Sequence, residues 1–300
     1  MAKVSVLMPV FNTKENYLRA NIESILNQSF ADFEFLILDD ASKPYIEEVV
    51  KSYTDSRIKY FKNEQNLGIS KSRNKLLELA TGEYLAIVDH DDISLPERFA
   101  KQVAVLDNDS SVGVVSGLFE KINKRGAYRF SKFSTNLKKK IRAQDQEINS
   151  KHMTKLNLFS GCLITHPLAM IRKKVLTDNN ICYEQEYFPA EDYALWCRLV
   201  PFTEFYVIPE VLLYYRVHES NTFKSNESVG NNAAFKIRSF VARDNPELFA
   251  EYLSIAAKNR TIRLFGFIPL LKIERRNDFM NIYLFELILL FRLKLKIRIL

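Results

Sequence analysis

The chain has 300 residues, 47% of them hydrophobic and 26% charged, enough to bury a full core of one large domain or two modest ones and ordinary for a soluble globular protein. None of its eight glycines falls into G-x-G-x-x-G or G-x-x-x-x-G-K-[ST], and no pair of its three cysteines has C-x-x-C spacing, so the usual phosphate cradles and a disulfide scaffold are excluded and a reduced, cytoplasmic environment is expected. The net charge of +7 is carried entirely by residues 258–300, with ten basic and three acidic side chains, so the neutral body is not expected to bind nucleic acid.

The N-terminus enters a strand-like run at once, without a signal-peptide layout. Val4–Met8 reads as a buried strand ended by Pro9. Tyr17–Gln28 carries Leu18, Ile22, Ile25 and Leu26 at helical spacing. Phe33–Leu38 is a second apolar run, ended by Asp39-Asp40. A helix is expected at Ile46–Tyr53, a strand at Arg57–Phe61, and a helix at Asn66–Ala80 with Gly82 as its stop. Tyr84–Val88 is a third buried strand, ended by Asp89-His90-Asp91-Asp92. A helix over Leu95–Asp107, with Pro96 in its first turn, and a strand at Val112–Ser116 follow. This alternation predicts an α/β fold: a mostly parallel sheet with helices on both faces.

Residues 120–157 are polar and basic with little periodicity, and read as a mobile lid or as a plain solvated connection. Order returns over Leu158–Leu176, and a helix is expected at Asp192–Val200. The tail mixes basic and large apolar residues but has no uncharged stretch long enough for a membrane span. It fits either a segment lying on an anionic membrane surface or a helix packed on the body. Arg292–Ile299 alternates with period two, which suits a strand better than a helix.

Both acidic clusters lie at the carboxyl ends of apolar strands, the edge where open α/β sheets bind ligands. Three carboxylates within Asp89–Asp92 repel one another unless a cation sits among them, and Mg²⁺ or Mn²⁺ would bridge them to a substrate phosphate. Asp92 or Ser94 could instead cap the following helix. The turn at Asn66–Gly68 opens a helix carrying Lys71 and Arg73, which together suit an anion. Glu191-Asp192 either favours a helix N-terminus or supplies a general base. His218 follows Tyr214-Tyr215-Arg216-Val217, and either His218 or Arg216 could support phosphates.

Taken together, these pieces resemble the family 2 glycosyltransferases, which have the GT-A fold. The resemblance rests on Val4–Asn12, Ser24–Phe30, Asp39-Asp40-Ala41-Ser42, Asn66-Leu67-Gly68 through Arg73-Asn74, Gly82-Glu83-Tyr84, Asp89–Asp92 and Pro96-Glu97-Arg98. His166-Pro167, Glu191–Trp196 and Tyr215–His218 extend it over residues 3–220. It implies a nucleoside pocket lined by Pro9, Phe11 and Glu15, with Phe11 where the family usually has Tyr. Asp40 would meet the uracil and Arg73 would lie near the diphosphate. Asp89 and Asp91 would form the D-x-D that reaches the ribose and a Mn²⁺- or Mg²⁺-bound diphosphate. His218 would help hold the metal, with Asp92 in support. Asp192 would be the catalytic base, with Glu191 nearby. Ala41 replaces a frequent Gly.

The resemblance implies an inverting transfer of sugar from a nucleotide sugar, UDP-linked by preference, to a hydroxyl of a glycan or lipid-linked acceptor in surface-polysaccharide synthesis. Residues 1–120 would form the nucleotide-sugar half, 121–222 the acceptor and base half, and 223–300 a basic, mainly helical extension touching the inner face of the cell membrane. A sugar-nucleotide-binding protein without transfer activity and a D-x-D phosphotransferase remain as alternatives. Ile93, where phosphotransferases want Thr, counts against the second.

Overall fold

The computed structural model describes residues 2–126, 151–162, 164–218, 227–258, 271–276, 279–284 and 296–298. Strands β1 (Val4–Val10), β2 (Phe33–Asp39) and β4 (Tyr84–Ile87) are buried along their whole length, as expected of mainly apolar parallel strands covered on both faces; the buried Ser5 and Glu34 side chains hydrogen-bond each other at 2.6 Å. With β3 (Ile58–Lys62), β5 (Ile93–Ser94), β6 (Val112–Ile122), β7 (Met170–Arg172) and β8 (Glu204–Arg216) they form an eight-stranded sheet in the order β3-β2-β1-β4-β7-β6-β8-β5. The half containing β3, β2, β1 and β4 is parallel. Short β7 runs antiparallel to both β4 and β6, β8 runs parallel to β6, and β5 closes the edge antiparallel to β8.

Alternation along each strand sends side chains to two separate cores. Val4, Val6, Met8 and Val10 of β1 and Phe33, Phe35 and Ile37 of β2 meet the apolar stripes of α1 (Glu15–Leu26), α2 (Tyr45–Lys51) and α4 (Arg98–Asn108). Leu7, Leu36, Leu38, Leu85 and Ile87 point the other way, into a core shared with α3 (Ile69–Leu79), α7 (Glu191–Leu199) and α8 (Glu227–Asp244). Helix α7 buries Tyr193 through Cys197 and, past half-exposed Arg198, Leu199, so most of its circumference lies inside the molecule. The expected sheet with helices on both faces is present.

One detail of pairing opens the ligand edge. Leu7 is the last residue of β1 in register with β4, whereas pairing with β2 continues to Val10 and Asp39. Pro9, which has no N–H to give, therefore sits where the β4 side of the ladder has already ended. The sheet parts between the carboxyl ends of β1 and β4, the crevice where doubly wound sheets take ligands.

Several boundaries differ from the sequence reading. Helix α3 ends at Leu79, and Gly82 is required for another reason: a Cβ there would lie 2.6 Å from the Ser5 nitrogen of β1. Helix α5 (Lys151–Asn157) occupies the end of the stretch expected to be loop. The rest of the lid or connection, residues 127–150, lies outside the described residues. Strand β8 was not foreseen. Pro209 interrupts its pattern, but the ladder with β6 skips from Ser116–Val207 to Leu118–Val211, so the proline falls in a bulge that asks for no hydrogen bond. After the short helix α6 (Lys173–Asp178), the C-terminal extension is helical through α8 and α9 (Pro246–Lys258). Beyond it β9 (Leu271–Arg276), β10 (Phe279–Leu284) and β11 (Lys296–Arg298) form an antiparallel sheet, and β11 falls within the segment whose alternation suggested a strand. Among the described residues no helix is long and apolar enough to cross a membrane.

Candidate functional site

The acidic turn Asp89–Asp92 hangs between β4 and β5, and the fold grips it by its backbone. The Asn21 amide, buried on the core side of α1, donates to the carbonyls of Asp89 (2.7 Å) and Asp92 (2.9 Å). Arg216 Nε donates to the Asp91 carbonyl at 2.7 Å, and the Arg216 N–H donates to Asp92 Oδ1 at 2.8 Å. From below, fully buried Arg98 donates to the Ile87 carbonyl (2.7 Å) and the Ser94 hydroxyl (2.9 Å), bracketing both ends of the turn. Burial pushes the Arg98 guanidinium down to about 9, against the pull of Asp92 and Asp89. Asp92 therefore binds the end of β8 rather than capping α4, whose N-cap is Glu97 without a side-chain bond.

The carboxylates themselves are left underfilled. Asp89 is raised by burial and by Asp91, with Arg73 opposing. Asp92 is raised well above the carboxylate range by burial, Asp91 and Asp89, and its Oδ2 has no hydrogen-bond partner. Asp91 Oδ2 shares a 2.6 Å hydrogen bond with His218 Nε2. Burial opposes the Asp91 charge, yet the His218 bond and the fields of His90 and His218 outweigh it and hold the carboxyl below its ordinary value.

Helix α7 brings the second acidic pair to the same edge. Buried Glu191 accepts from Arg73 Nη1 at 2.7 Å, and Arg73 Nη2 reaches Asp89 Oδ1 at 3.5 Å, so one guanidinium links the turn after β4 to the start of α7. Arg73 also lies over the Tyr183 ring at 5.4 Å. Tyr183 is tied back to α3 by two bonds with the Asn74 amide, at 2.8 and 2.9 Å. Asp192 is pushed up to about 6 by burial and then by Glu191, with Arg73 restraining the shift. Half-buried Tyr215 is raised by burial and then by the fields of Asp92, Asp89, Asp91 and Asp192.

The nucleoside-side residues fall at the exits of β1 and β2. Pro9 lies within the buried run that ends at Val10, and Phe11 beyond it leaves 48% of its surface exposed. Asn12 and Ala41 both take left-handed backbone angles, φ 49° and 60°, and their loops interlock: Asn12 N–H donates to Ser42 Oγ and Lys43 N–H to Asn12 Oδ1. Glu15 opens α1 and pairs on the exposed face with Arg19 at 2.9 Å, away from the acidic turn's own contacts.

Asp40 is held by the segment that leads into α3. Its Oδ1 accepts from Asn63 Nδ2 (2.8 Å) and Leu67 N–H (2.9 Å), and its Oδ2 accepts from Gly68 N–H (2.9 Å). The Leu67 and Gly68 N–H groups of the turn before α3 thus meet an anion of the protein's own, Asp40. Gly68, at φ 82°, supplies the left-handed residue the turn needs.

Asn21, Arg98 and Tyr17 carry the site without having been read as site residues. Each acts on backbone or on another side chain; Arg98 lies in the Pro96-Glu97-Arg98 match, whereas Asn21 and Tyr17 lie in none of the matched segments. A polar Asn21 among Leu18, Ile22 and Ile25 on a buried stripe is the signal that was there to find.

Among the described residues no group of three or more His, Cys, Asp or Glu side chains stands ready to hold a metal ion by itself. Asp91 and His218 offer one oxygen and one nitrogen. That donor set fits an ion that keeps waters and shares phosphate oxygens rather than one held in an all-protein cage.

A profile of the family described as glycosyl transferase family 2 matches residues 5–178. The uncharacterized glycosyltransferase MJ1057 of Methanocaldococcus jannaschii is 34% identical over 226 residues, covering 74% of this chain and 73% of its own. The O-antigen biosynthesis glycosyltransferase WbnJ of Escherichia coli is 31% identical over 248 residues, covering 80% and 89%. In three dimensions the chain is similar to S. aureus TarS in complex with UDP-GlcNAc, with a TM-score of 0.63 at 20% identity over 85% of this chain and 73% of that one. It is also similar to the mannosyltransferase PcManGT of Pyrobaculum calidifontis in complex with GDP-Man and Mn²⁺, with a TM-score of 0.58 at 16% identity over 88% and 77%. Sequence and architecture agree: this chain belongs to the family 2 glycosyltransferases and carries their α/β GT-A fold.

Proposed function

We propose that the protein is an inverting glycosyltransferase that moves a sugar from a UDP-sugar to a hydroxyl of a glycan or lipid-linked acceptor during surface-polysaccharide synthesis. One observation carries the reading: Arg73 joins Asp89 to Glu191, so the acidic turn and the base-bearing helix share one edge of the sheet although they lie about 100 residues apart in sequence.

Phe11 offers an exposed face on which a base can stack, beside Pro9, with Glu15 at the pocket rim. Asp40 makes three hydrogen bonds to the segment from Asn63 to Gly68, and a carboxylate has room for a further donor such as a uracil imide N–H. Asp89 takes the ribose. Asp91 and His218, with Asp92 behind them, would hold a Mn²⁺ or Mg²⁺ that arrives with the diphosphate. When bound, the ion supplies charge neutralisation for the leaving diphosphate.

Asp192, poised near 6, is largely ionised at neutral pH and basic enough to take a proton. It accepts the acceptor's hydroxyl proton while that oxygen bonds to the anomeric carbon. The bond from that carbon to the diphosphate oxygen breaks, and its electron pair leaves with the nucleotide. Attack from the face opposite the leaving group inverts configuration. Residues 1–120 then serve the donor, and 121–222 the acceptor and base. The basic tail from 223 to 300 meets the anionic inner face of the membrane, where a lipid-linked acceptor would sit.

The UDP preference is supported by the UDP-GlcNAc complex of the TarS neighbour, and the polysaccharide role by the O-antigen function named for WbnJ. A panel of UDP-, GDP- and dTDP-sugars incubated with the protein and Mn²⁺ tests the reading. Nucleotide release from a UDP-sugar, suppressed by chelator, is expected. Release from none of the panel defeats it.

A further inference from the structure

Helix α1 approaches the acidic turn at two points. Asn21 holds its backbone, and one turn earlier Tyr17, only 5% exposed, faces the opposite wall of the cleft. The Tyr17 ring stacks on the His218 imidazole, with centroids 5.7 Å apart and planes 27° apart. The Arg216 guanidinium lies over the same ring at 4.4 Å. The Tyr17 hydroxyl donates to the Lys124 carbonyl at 3.1 Å, in the turn that follows β6. One buried phenol thus touches the chain where it leaves β6 and where it leaves β8.

We propose that Tyr17 is a positioning residue: it fixes the plane of the His218 imidazole so that Nε2 meets Asp91, and it holds Arg216 on the Asp91 carbonyl. The inference rests on the reading of Asp91 and His218 as the metal–diphosphate side of the site. The physical case is rotational. His218 sits two residues past the end of β8, where the last ladder-like bond is Val217 N–H to the Ile122 carbonyl at 2.9 Å. An imidazole there can turn about two side-chain bonds, and its hydrogen bond to Asp91 fixes a direction rather than a plane. The stacked Tyr17 ring bears on that plane. Arg216 meets the same ring: its Nε donates to the Asp91 carbonyl while its guanidinium lies over Tyr17, and its Nη1 reaches the Asn123 carbonyl at 3.4 Å. A preorganised pair loses less freedom when ligand arrives and so binds more tightly.

The test uses the full chain with UDP and MnCl₂ as probes. In the wild type, nuclear Overhauser contacts are expected between the Tyr17 ring protons and the His218 imidazole protons; their absence overturns the proposal whatever the variants do. By calorimetry, wild-type UDP affinity should be higher with Mn²⁺ than in chelator. Tyr17→Met should lose about tenfold of the Mn²⁺-dependent affinity, leave UDP affinity in chelator within twofold, and shift the His218 imidazole resonances. Tyr17→Phe keeps the ring and should stay within twofold throughout. Equal losses in Mn²⁺ and in chelator, or unchanged Mn²⁺-dependent affinity in Tyr17→Met, overturn the positioning role. A wild type whose UDP affinity ignores Mn²⁺ defeats the metal reading instead; the His218 contacts and resonances still decide the geometric claim.

Discussion

Two acidic clusters leave the sheet at the ends of β2 and β4, on either side of β1, and they meet opposite fates. Around Asp39 and Asp40 the fold sends its donors to the carboxylates. Asp39 accepts from Ser42 N–H (2.8 Å) and the Tyr60 hydroxyl (2.7 Å), and Asp40 from Asn63, Leu67 and Gly68. Around Asp89–Asp92 the donors of Asn21 and the Arg216 side chain go to backbone carbonyls instead. The carboxylates there keep unfilled capacity and lie close enough to raise Asp89 and Asp92 by burial and mutual repulsion. The first cluster is bonded largely by the protein's own donors; the second keeps carboxylate capacity that those donors do not fill. Residue type and strand-end placement are the same in both. What separates them is where the neighbouring N–H groups point.

The third carboxylate group, at the start of α7, gives the sharpest break. Asp192→Asn removes a base and nothing structural beyond a hydrogen bond from its neighbour's N–H. Turnover should fall about 10³-fold, with UDP affinity unchanged. Steady-state rates beside calorimetry check it, and equal loss of binding and turnover would remove the base assignment.

Next come the two clusters themselves, compared by chemical denaturation. Asp40→Ala strands the Leu67 and Gly68 N–H groups and the Asn63 amide, and should lower stability by about 3 kcal/mol. Asp91→Ala removes a like charge from a crowded turn and should stay within about 1 kcal/mol of the wild type while abolishing Mn²⁺-stimulated nucleotide release. A stable Asp40→Ala with an unfolded Asp91→Ala would reverse the comparison.

A smaller effect separates the charges around Asp192. The base works ionised, so kcat/KM should rise with pH through about 6 and level above it. Glu191 raises Asp192 and Arg73 lowers it. Glu191→Gln should therefore move the acid limb of the profile to lower pH, and Arg73→Met should move it to higher pH. A limb that stays in place in both variants would show that another group governs it.

The parallel half was legible because its strands are short, apolar and separated by helix-period segments, so period and length agreed. Strand β8 was not, because Pro209 breaks the pattern and the bulge that accommodates it exists only against β6. At the site, the acidic residues, Arg73 and His218 could be picked by residue type, and the structure gathers them. The fate of Asp40 could not be picked this way. Its donors lie 23 to 28 residues away on a loop whose path depends on α3. Asn21 and Tyr17 were hidden for a related reason: what they hold is a carbonyl or a ring, which leaves no pattern in sequence; Arg98 lies in a matched segment that gave it no role.

The smallest expected effect returns to the structured cluster. Ala41 follows Asp40 at φ 60°, a conformation that costs an alanine about 1–2 kcal/mol and a glycine almost nothing. Glycine gives back about 0.4–1 kcal/mol through the freedom it adds to the unfolded chain. Ala41→Gly should therefore stabilise the protein by about 0.5–1 kcal/mol. Asn12, at φ 49° in the loop interlocked with it, is the control. Asparagine tolerates that region, and its side chain also accepts from Lys43 N–H, so Asn12→Gly should destabilise. Denaturation midpoints moving in opposite directions would locate the strain in the turn after β2, where the carboxylates are already satisfied. Midpoints falling together would mean that the left-handed residue at 41 is held by contacts the glycine loses, and the two strand-end turns would then differ in their charges but not in their strain.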